Sequence, residues 1–318
     1  MTYCRRTAGV SLSLELFREL KRLVPWADIV HLTGVYSFPT IPTLLGCKLR
    51  RKPVVWSPRG GLQRWEGTRR RLAKWFWERA CSQLLSPDSC VLHVTTEIER
   101  AESAARIQRA RYAVIPNGVE VPEAQPPRHW CPSGILRLLF IGRLDPKKGI
   151  ENLLQAVGKC RAPVALTICG AGDAPYVDSL RALTERLGIA EKTTFTGHVE
   201  GERREAAFFS SDVCVVPSFT ENFAMVVAEA LARGLPVVAS PGTPWSGLEQ
   251  NECGLWVDNS PESLAAALGH IREMDLDAMG ARGREWMRRT FSWELIARRM
   301  HRVYKELLTD PSSARFTS

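Results

Sequence analysis

The sequence predicts an α/β fold made of two Rossmann-like domains. Short β-branched apolar runs recur along the chain and alternate with segments of helical periodicity. This alternation is typical of parallel sheets with helices on both faces. A proline-rich stretch at residues 122–127 divides it into two series, and 318 residues with 45% hydrophobic content suffice for two domains of ordinary size.

The first series is assigned to an N-terminal domain, residues 1–128. Residues 12–24 have the apolar spacing of a helix, and residues 69–80 have that of an amphipathic one. Four β-branched runs are predicted as strands, at 28–32, 53–56, 90–95 and 112–115.

The second series is assigned to a C-terminal domain, residues 129–291. Its predicted strands are 136–141, 164–168, 193–195, 213–216, 236–239 and 254–257. Its predicted helices are 150–157, 176–187, a helix after Pro217 that ends at Gly234, 261–273 and 275–290. A last helix, 292–309, is expected to complete the first domain. The order of the strands in either sheet is not predicted.

The positive charge is concentrated in the first domain. Residues 1–128 hold 21 Lys and Arg against 11 Asp and Glu, a balance of +10, and the remainder holds 22 against 23. Such an excess favours an acidic partner, namely anionic lipid head groups, a phosphorylated acceptor or nucleic acid. Nucleic acid is not expected as a partner, because no zinc spacing, RNP aromatic pattern or recognition helix accompanies the charge.

Cysteine usage and the chain start favour a cytoplasmic protein. The nine cysteines have no C-x-x-C spacing, which is typical of reduced thiols in the core. Met1 leads into Cys4-Arg-Arg6 without an apolar core, so no signal peptide is predicted, and no run of 18 apolar residues predicts a membrane span.

Residues 217–236 are the stretch around which the second domain is organised. A buried strand is expected to end at Pro217, and a short polar loop leads into a helix with Glu221 at its mouth and Glu229 eight residues further on. That spacing corresponds to about 12 Å along a helix axis. The helix N-terminus suits a phosphate, and the two carboxylates can bind sugar hydroxyls on either side of a diphosphate. The alternative is that both are solvated helix residues.

Two further loops follow strands, where open α/β sheets bind ligands. Residues 142–149 place Arg143, Lys147 and Lys148 at a helix start, and this group of cations suits a pyrophosphate. Residues 169–173 form a glycine-rich turn in which Gly170 lets a backbone approach a ligand closely. Ordinary turn formation is the alternative for this glycine.

These motifs together resemble one family. Gly-Arg-Leu-x-x-x-Lys-Gly, the Gly-Ala-Gly-Asp turn and Glu-Asn-Phe-x₅-Glu-Ala-Leu-Ala-x-Gly-x-Pro-Val-Val-Ala follow Ile-Pro-Asn-Gly-Val119 in that order. The chain thereby resembles the retaining, GT-B-fold glycosyltransferases of family 4, the glycosyl transferases group 1 domain, over residues 112–310. Residues 57–62, Ser-Pro-Arg-Gly-Gly-Leu, resemble bacterial surface-polysaccharide members. The resemblance implies two Rossmann-like domains that face each other across a cleft.

The resemblance implies roles for single positions. Arg143 and Lys148 match the basic pair that neutralises the donor diphosphate. Glu221 matches the catalytic carboxylate beside the transferred sugar, and Glu229 matches the one that binds the ribose hydroxyls.

Three consecutive residues would bind the phosphate through their backbone N–H groups: Phe223, Ala224 and Met225. Relatives often carry glycine where this chain has Ala224, so a tighter pocket is expected there. Arg59 stands where many relatives place a histidine near the reacting sugar. Arginine cannot serve as a base, so Arg59 is a catalytic candidate with an open role.

The resemblance also implies a nucleotide-diphosphate sugar as substrate, a glycan or lipid-linked acceptor, and no metal or other cofactor. Retention would proceed by front-face attack, in which the leaving phosphate takes the proton of the acceptor. By comparison with the usual domain size, about 60 to 90 residues of the N-terminal domain are expected to be absent.

Three functions are therefore weighed. The first is a hexosyl-transferring glycosyltransferase of polysaccharide or glycolipid assembly. The second is a protein that binds sugar nucleotides without turnover, because its N-terminal domain is incomplete. The third is a nucleotide-sugar epimerase, which the E-x₇-E pattern disfavours.

The amphipathic segment 69–80 predicts a contact with an anionic membrane at the inner face. Its apolar stripe is expected to pack on the sheet and comprises Leu72, Ala73, Phe76, Trp77, Ala80 and Leu84. Trp75 falls outside this stripe among charged side chains (Arg71, Lys74, Glu78 and Arg79), and such an indole suits the head-group region of a bilayer. The alternative is a Trp75 that covers neighbouring arginine stems or fills a domain contact.

Overall fold

The computed structural model describes residues 4, 5, 7, 12–64, 70–108, 110–124, 126, 128–131 and 134–309. The chain forms two compact units. The first unit comprises residues 1–117 and 296–318, and the second comprises residues 118–295. This division falls between residues 117 and 118, before the proline-rich segment at 122–127. The sequence predicts it after that segment, between residues 128 and 129. Arg69, at the start of the predicted amphipathic helix, lies outside the described residues.

Within the described residues, the first unit holds a parallel sheet of four strands in the order β1-β2-β3-β4. The strands are β1 (Val30–Thr33), β2 (Val54–Ser57), β3 (Cys90–Val94) and β4 (Arg111–Val114). The helix α1 (Leu14–Trp26) precedes β1, and the helices between the strands are α2 (Thr40–Leu49), α3 (Arg71–Leu84) and α4 (Glu97–Ala104). The last helix of the chain, α12 (Trp293–Thr309), joins this unit from Ile296 onward.

Both faces of this sheet are covered. Trp56 and Leu92 belong to a buried cluster with Val24 of α1, Leu44 of α2 and Cys81 of α3. On the alternate positions of the same strands, Val55 and Val91 share a second cluster with Ile296, Val303 and Leu307 of α12. The period of two along β2 and β3 thus divides their side chains between the two layers.

The second unit holds a parallel sheet of six described strands in the order β10-β9-β8-β5-β6-β7. The strands are β5 (Leu136–Ile141), β6 (Val164–Cys169), β7 (Thr193–Gly197), β8 (Val213–Val216), β9 (Val237–Ala239) and β10 (Gly254–Trp256). The helices are α5 (Ile150–Lys159), α6 (Ala174–Arg186), α7 (Gly201–Phe209), α8 (Met225–Ala232), α9 (Gly247–Gln250), α10 (Pro261–Ile271) and α11 (Leu276–Phe291). Strand order reverses between β5 and β8, so a switch point lies there, where such sheets bind ligands at the carboxyl ends of the strands.

The two faces of this sheet also carry separate cores. One contains Leu138 and Phe140 with Leu153 of α5 and Leu268 of α10. The other contains Cys214 and Val216 with Val227 and Leu231 of α8, Met287 of α11, and Trp245. The helix α8 that follows the switch point is therefore fixed to the sheet by its apolar residues, which holds its N-terminus at the carboxyl edge.

Several elements differ from the sequence prediction. The short helices α2, α4, α7 and α9 were not predicted. The helix after Pro217 begins at Met225, so Glu221 lies in the loop before it and the spacing of about 12 Å along a helix axis does not apply. Its end is as predicted, because Gly234 follows α8 with a left-handed φ of 66°.

The predicted apolar stripe of α3 is wrong for four of its six residues. Leu72, Ala73, Phe76 and Ala80 are exposed, whereas Trp77 and Leu84 are partly buried. The helix instead turns Glu78 inward, and the cost of burying this carboxylate is offset by hydrogen bonds from the Tyr36 hydroxyl and the Arg64 guanidinium. The Trp77 indole donates to the Val35 carbonyl at 2.8 Å and fixes the same rotation.

All nine cysteines are among the described residues, and each is a free thiol. No helix in the described part of the chain is both long enough and apolar enough to span a membrane.

Candidate active site

The loop between β8 and α8, residues 217–224, is held by its neighbours at the carboxyl edge of the second sheet. The Phe219 N–H donates to the Lys147 carbonyl at 2.8 Å, and the Glu221 N–H donates to the Gly242 carbonyl at 2.8 Å. The Ser240 hydroxyl donates to the Ser218 carbonyl at 2.5 Å. Backbone contacts on both sides thus fix the position of Glu221 before any ligand is bound.

The Glu221 carboxylate is paired with Lys148, whose ammonium donates to Oε1. The Ser218 hydroxyl donates to the same oxygen at 2.8 Å. The side chains of Glu221 and Lys148 are 11% and 18% exposed, so this pair is largely removed from water but open to a ligand. The structure therefore brings together two residues that the sequence assigned to one site, 73 positions apart.

Ala224 is the residue that turns the loop into α8. It has a left-handed conformation, φ 57° and ψ 66°, which costs an alanine about 1 to 2 kcal/mol. The Trp245 indole donates to the Phe223 carbonyl at 2.5 Å, and the two rings pack edge to face at 5.2 Å. Trp245 thereby holds the strained turn, and the first N–H groups of α8, from Met225 onward, are presented at the edge of the sheet.

Gly170 has a role within the fold that the sequence did not reveal. Its φ is 156°, and a Cβ there would lie 1.8 Å from the Gly142 carbonyl oxygen. The Gly170 N–H donates to the Gly197 carbonyl at 2.8 Å. The residue must therefore be glycine because a neighbouring backbone approaches it, and this packing aligns the loops after β5, β6 and β7.

Arg143 lies in the loop after β5 and is mostly exposed. Its guanidinium is 3.7 Å from the Asp145 carboxylate, a weak contact that leaves the side chain available to a ligand. Asp145 itself accepts from the Lys147 N–H at 3.2 Å, which shapes the turn that carries Lys147 and Lys148.

Glu229 lies on α8 and contacts a residue that the sequence analysis missed. Arg204 of α7 donates from Nη2 to Oε2 of Glu229 at 2.5 Å. The side chains are 28% and 21% exposed. No spacing in the sequence signals this pair, because its geometry depends on how α7 and α8 pack beside β8.

Arg59 belongs to the first unit and stands in a strained loop after β2. It has a left-handed φ of 53°, and its guanidinium donates to the Asn117 side chain. The next residue, Gly60, donates its N–H to Oε1 of the fully buried Glu99 at 2.6 Å. The second carboxylate oxygen of Glu99 accepts from the N–H and the hydroxyl of Thr95, at 2.7 and 2.8 Å. Glu99 thus ties the Arg59 loop to the start of α4.

Two histidines of the first unit form a hydrogen-bonded chain through Ser57. Because the Ile115 carbonyl only accepts, His93 donates to it from Nε2 at 2.9 Å and accepts the Ser57 hydroxyl at Nδ1, 2.8 Å away. Ser57 then accepts from Nε2 of His31 at 2.7 Å, and Nδ1 of His31 accepts from the Tyr304 hydroxyl at 2.5 Å.

Burial and the charge of Arg59 favour the neutral form of both imidazoles. Burial lowers the pKa of His93 to about 4, the Ile115 hydrogen bond opposes the shift, and the positive charge of Arg59 and the nearby His31 ring add to it. Burial and then the Arg59 charge also lower the pKa of His31. Both histidines therefore serve as hydrogen-bonded parts of the fold that hold the residue before Pro58 and Arg59.

The second-unit loops combine cations, a carboxylate and a helix N-terminus at one edge of a sheet. Lys148 and Arg143 can neutralise phosphate oxygens, and the N–H groups at the start of α8 can donate to them. Glu221 and Glu229 can accept hydrogen bonds from hydroxyl groups. Among the described residues no cluster of three or more His, Cys, Asp or Glu side chains has the arrangement of a metal site.

Two parallel Rossmann-like sheets and a loop site of this composition define the class of GT-B glycosyltransferases. The family comparisons agree: a model described as glycosyl transferases group 1 matches residues 131–286, and one described as glycosyltransferase family 4 matches residues 1–122. The chain belongs to this glycosyltransferase family, as its motifs predicted.

Related sequences carry glycosyltransferase names. The chain is 33% identical over 250 residues to the GDP-mannose-dependent α-(1-6)-phosphatidylinositol monomannoside mannosyltransferase of Mycobacterium tuberculosis, covering 73% of this chain and 58% of that protein. It is 30% identical over 257 residues to the D-inositol 3-phosphate glycosyltransferase of Corynebacterium urealyticum, covering 73% of this chain and 60% of that protein. The chain thus spans about three fifths of the length of these relatives.

Solved structures confirm the GT-B fold. Sucrose-phosphate synthase from Thermosynechococcus elongatus superposes with a TM-score of 0.73 at 23% identity, covering 96% of this chain and 82% of that one. HepE from Anabaena, solved in complex with UDP, superposes with a TM-score of 0.77 at 17% identity, covering 92% of this chain and 82% of that one. At these identities the likeness concerns the fold alone.

Proposed function

We propose that this chain is a retaining glycosyltransferase of the hexosyl-transferring type, which moves a sugar from a nucleotide-diphosphate donor to a glycan or lipid-linked acceptor. The observation that carries the proposal is the Lys148–Glu221 pair, held by Ser218 beside the N-terminus of α8. A cation, a carboxylate and free N–H groups meet there, as the sugar diphosphate end of a donor requires.

In the proposed donor complex, Lys148 and Arg143 bind the diphosphate together with the backbone N–H groups of residues 223–225. Lys148 then exchanges its contact with Glu221 for phosphate oxygens, and the carboxylate becomes available to hydroxyls of the transferred sugar. Glu229 binds the ribose hydroxyls. Gly170 keeps the neighbouring loops in register, and its predicted close approach to the donor remains part of the proposal.

The proposed chemistry is electrostatic stabilisation of the leaving diphosphate by fixed donors. The cations and the helix terminus supply this without a divalent ion, and activity is therefore expected to persist in EDTA. Arg59 is proposed to stabilise negative charge near the reacting sugar. Because Arg59 cannot take a proton, the leaving phosphate accepts the proton of the acceptor hydroxyl in front-face attack, with retention.

The proposed substrates and partners draw support from the names of the relatives. One relative is named for a phosphatidylinositol mannoside acceptor and GDP-mannose, and HepE was solved with UDP-glucose. Both names fit a donor that is a nucleotide sugar and an acceptor that is lipid-linked or a polysaccharide. We place the reaction on the cytoplasmic side. Nucleic acid is not proposed as a partner.

An anionic membrane surface is a further proposed partner, and the exposed face of α3 favours it. Leu72, Trp75 and Phe76 are 77%, 50% and 65% exposed, and the Trp75 and Phe76 rings pack edge to face at 4.8 Å. The Arg79 guanidinium lies 5.8 Å from the Trp75 ring centre. Exposed apolar side chains beside arginines suit the boundary between head groups and acyl chains.

The function can be tested by incubating the full chain with labelled UDP-, GDP- and ADP-sugars and a crude lipid acceptor fraction. Transfer of label into lipid or glycan is the expected result, and Glu221→Gln is the matched control that should abolish most of it. Binding without transfer would instead indicate a sugar-nucleotide-binding protein. An altered sugar nucleotide would indicate an epimerase.

A further inference from the structure

Arg204 joins two helices at the proposed nucleotide site. It lies on α7, whereas its partner Glu229 lies on α8, and their contact of 2.5 Å is a charge-assisted hydrogen bond between partly exposed groups. The two residues lie on the helices that precede and follow the buried strand β8 in the chain. Arg204 is therefore next to the one carboxylate of α8 that the proposed function assigns to the ribose.

The Arg204 guanidinium is fixed by a second contact. It lies 5.1 Å from the ring centre of Phe208, which is fully buried, one turn further along α7. Arg233 lies 4.9 Å from the same ring and makes a two-point contact with Glu205, at 2.6 and 2.7 Å. A cation held over a buried ring has little freedom to turn, so Arg204 can hold its partner in one orientation.

The contact leaves Glu229 able to bind a ligand. Arg204 occupies Oε2, and a carboxylate accepts hydrogen bonds on both oxygens, so Oε1 can accept from a ligand hydroxyl. The side chain of Glu229 is 21% exposed, which makes it reachable from solvent. A carboxylate fixed at one oxygen offers the other at a defined position, whereas an unsupported one must be ordered when the ligand binds.

We infer that Arg204 is a positioning residue that orients Glu229 toward the ribose diol and thereby sets the preference for ribonucleotides over nucleotides that lack these hydroxyls. The inference rests on the proposed function, because it takes the ribose as the ligand of Glu229. The inference adds Arg204 to the residues that recognise the ribose. Arg204 lies outside the E-x₇-E motif, 25 residues before Glu229 and on a different helix.

A purely structural ion pair would tie α7 to α8 without affecting ligand choice. The two roles differ in what Arg204→Met changes. A structural role predicts lower stability with unchanged discrimination between ribose and dideoxyribose. A positioning role predicts weaker binding of the ribonucleotide alone, because a nucleotide without the diol makes no contact with the Glu229 carboxylate.

The test is calorimetry on the full chain with UDP, GDP and ADP and with the 2′,3′-dideoxy form of each nucleotide that binds. Wild-type protein should prefer the ribonucleotide by about 10- to 100-fold, the range expected when one charged hydrogen-bonding group loses its partners. Arg204→Met should reduce this ratio about tenfold through weaker ribonucleotide binding, while affinity for the dideoxy form stays within about twofold. Arg204→Lys should restore part of the ratio.

Two further variants sharpen the result. In a Glu229→Ala background, Arg204→Met should leave the ratio unchanged, since the group that Arg204 orients is gone. Arg181→Met is the matched control, because Arg181 also lies over a phenylalanine ring, 4.7 Å from the centre of Phe195, but on the exposed surface of α6. It should leave the ratio at the wild-type value.

An unchanged ratio in Arg204→Met, with only a lower melting temperature, would overturn the inference and leave the proposed function standing. Tighter ribonucleotide binding in Arg204→Met would also overturn it, since Arg204 would then compete with the ligand for Glu229. If wild-type protein binds a ribonucleotide without discriminating against the dideoxy form, the role of Glu229 fails as well. If it binds none of the three nucleotides, the proposed function fails.

Discussion

Glu221 and Glu229 lie in different surroundings although eight residues separate them in the sequence. Glu221 is in the loop before α8, where Lys148 and Ser218 share one of its oxygens. Glu229 is on α8 itself and is paired with Arg204. Glu221 is thus paired with Lys148, which is proposed to bind phosphate, whereas Glu229 is paired with Arg204 of α7. This arrangement predicts that their loss will affect different steps.

Glu229→Ala should weaken nucleotide binding by about 10- to 100-fold, because the ribose hydroxyls lose a charged acceptor. Glu221→Gln should lower kcat by about 10² or more with a smaller effect on nucleotide affinity, as expected for loss of one preorganised electrostatic group. Calorimetry and initial rates measure the two effects, with exposed Glu249→Ala of α9 as the control. Wild-type nucleotide affinity in Glu229→Ala would contradict the assignment.

His93 makes a separate prediction about stability. Its pKa of about 4 in the folded chain is below the ordinary value of 6.5, so the unfolded chain binds the proton more tightly. The contribution of His93 is therefore fully present above about pH 6.5 and is lost as the pH falls towards 4. The difference corresponds to on the order of 3 kcal/mol.

Urea unfolding between pH 7.5 and 4.5 can measure this contribution. His93→Asn should be less stable than the wild type at pH 7.5, and the gap should shrink as the pH falls. Other groups that titrate in this range affect the wild type and the variant alike. The difference between the two proteins in the free energy of unfolding therefore isolates the contribution of His93. A gap that stays constant with pH would show that His93 is not the responsible group.

At the scale of elements, the loops after β5, β6, β8 and β9 form the site because their backbones contact one another. Gly170 marks the closest approach, with a Cβ position 1.8 Å from the Gly142 carbonyl. Gly269 is the contrasting case, since it lies inside helix α10 and, its chain neighbours and the nearby backbone of the helix apart, no atom lies within 4 Å of its Cβ position.

Gly170→Ala should therefore destabilise the chain by more than about 2 kcal/mol, because the backbone of Gly142 must move. Gly269→Ala should stabilise it by up to about 1 kcal/mol, because alanine has the higher helix propensity. Urea unfolding of both variants provides the measurement. Equal changes in the free energy of unfolding for the two variants would contradict the close approach of the loops that hold Gly142 and Gly170.

The exposed face of α3 predicts membrane binding that depends on charge and on one indole. Co-sedimentation with vesicles of an anionic phospholipid should decrease with salt, with each cation near the head groups contributing about 1 kcal/mol. Trp75→Ala should reduce binding, and Trp293→Ala, which removes a tryptophan of similar exposure in the second unit, should not. Absence of vesicle binding at low salt, or equal binding by the two variants, would contradict the proposed membrane contact of the exposed face of α3.

Much of the element order was predictable, and the misses have physical causes. The strands were found because β-branched runs mark buried parallel strands. The start of α4 carries a capping signal in the sequence, since Thr96 accepts the N–H of Glu99 three residues later. The rotation of α3 was not predictable from apolar spacing, because the buried Glu78 depends on Tyr36 and Arg64, which are distant in sequence.

The sequence predicts the candidate site by residue type but not by contact. Local motifs identified Lys148, Arg143, Glu221 and Glu229, yet their partners depend on which strands are adjacent. Strand order is set by packing between segments far apart in the chain, and for this reason the contact between Arg204 and Glu229 is not visible in the sequence. The Trp245 contact with Phe223, which supports the strained Ala224, was missed for the same reason.

At the scale of the whole molecule, the charge is unevenly distributed along the chain. The positive excess lies within the first 128 residues, where the exposed face of α3 is found, whereas the remainder is close to neutral. In the second unit, three cations (Arg143, Lys147 and Lys148) lie in the loop after β5 at the carboxyl edge of the sheet. This distribution fits a membrane-associated acceptor for the first unit and a nucleotide-diphosphate donor for the second.

The most direct test of the donor site is calorimetry of the full chain with UDP, GDP and ADP, repeated with the Arg143→Ala/Lys148→Ala double variant. We expect at least one nucleotide to bind, and the double variant to bind it at least about 100-fold more weakly, because two charge-assisted contacts to the diphosphate are lost. The exposed pair Lys159 and Arg186, replaced together by alanine, should bind as the wild type does. Failure of all three nucleotides to bind, or equal affinity in the Arg143/Lys148 variant, would contradict the account.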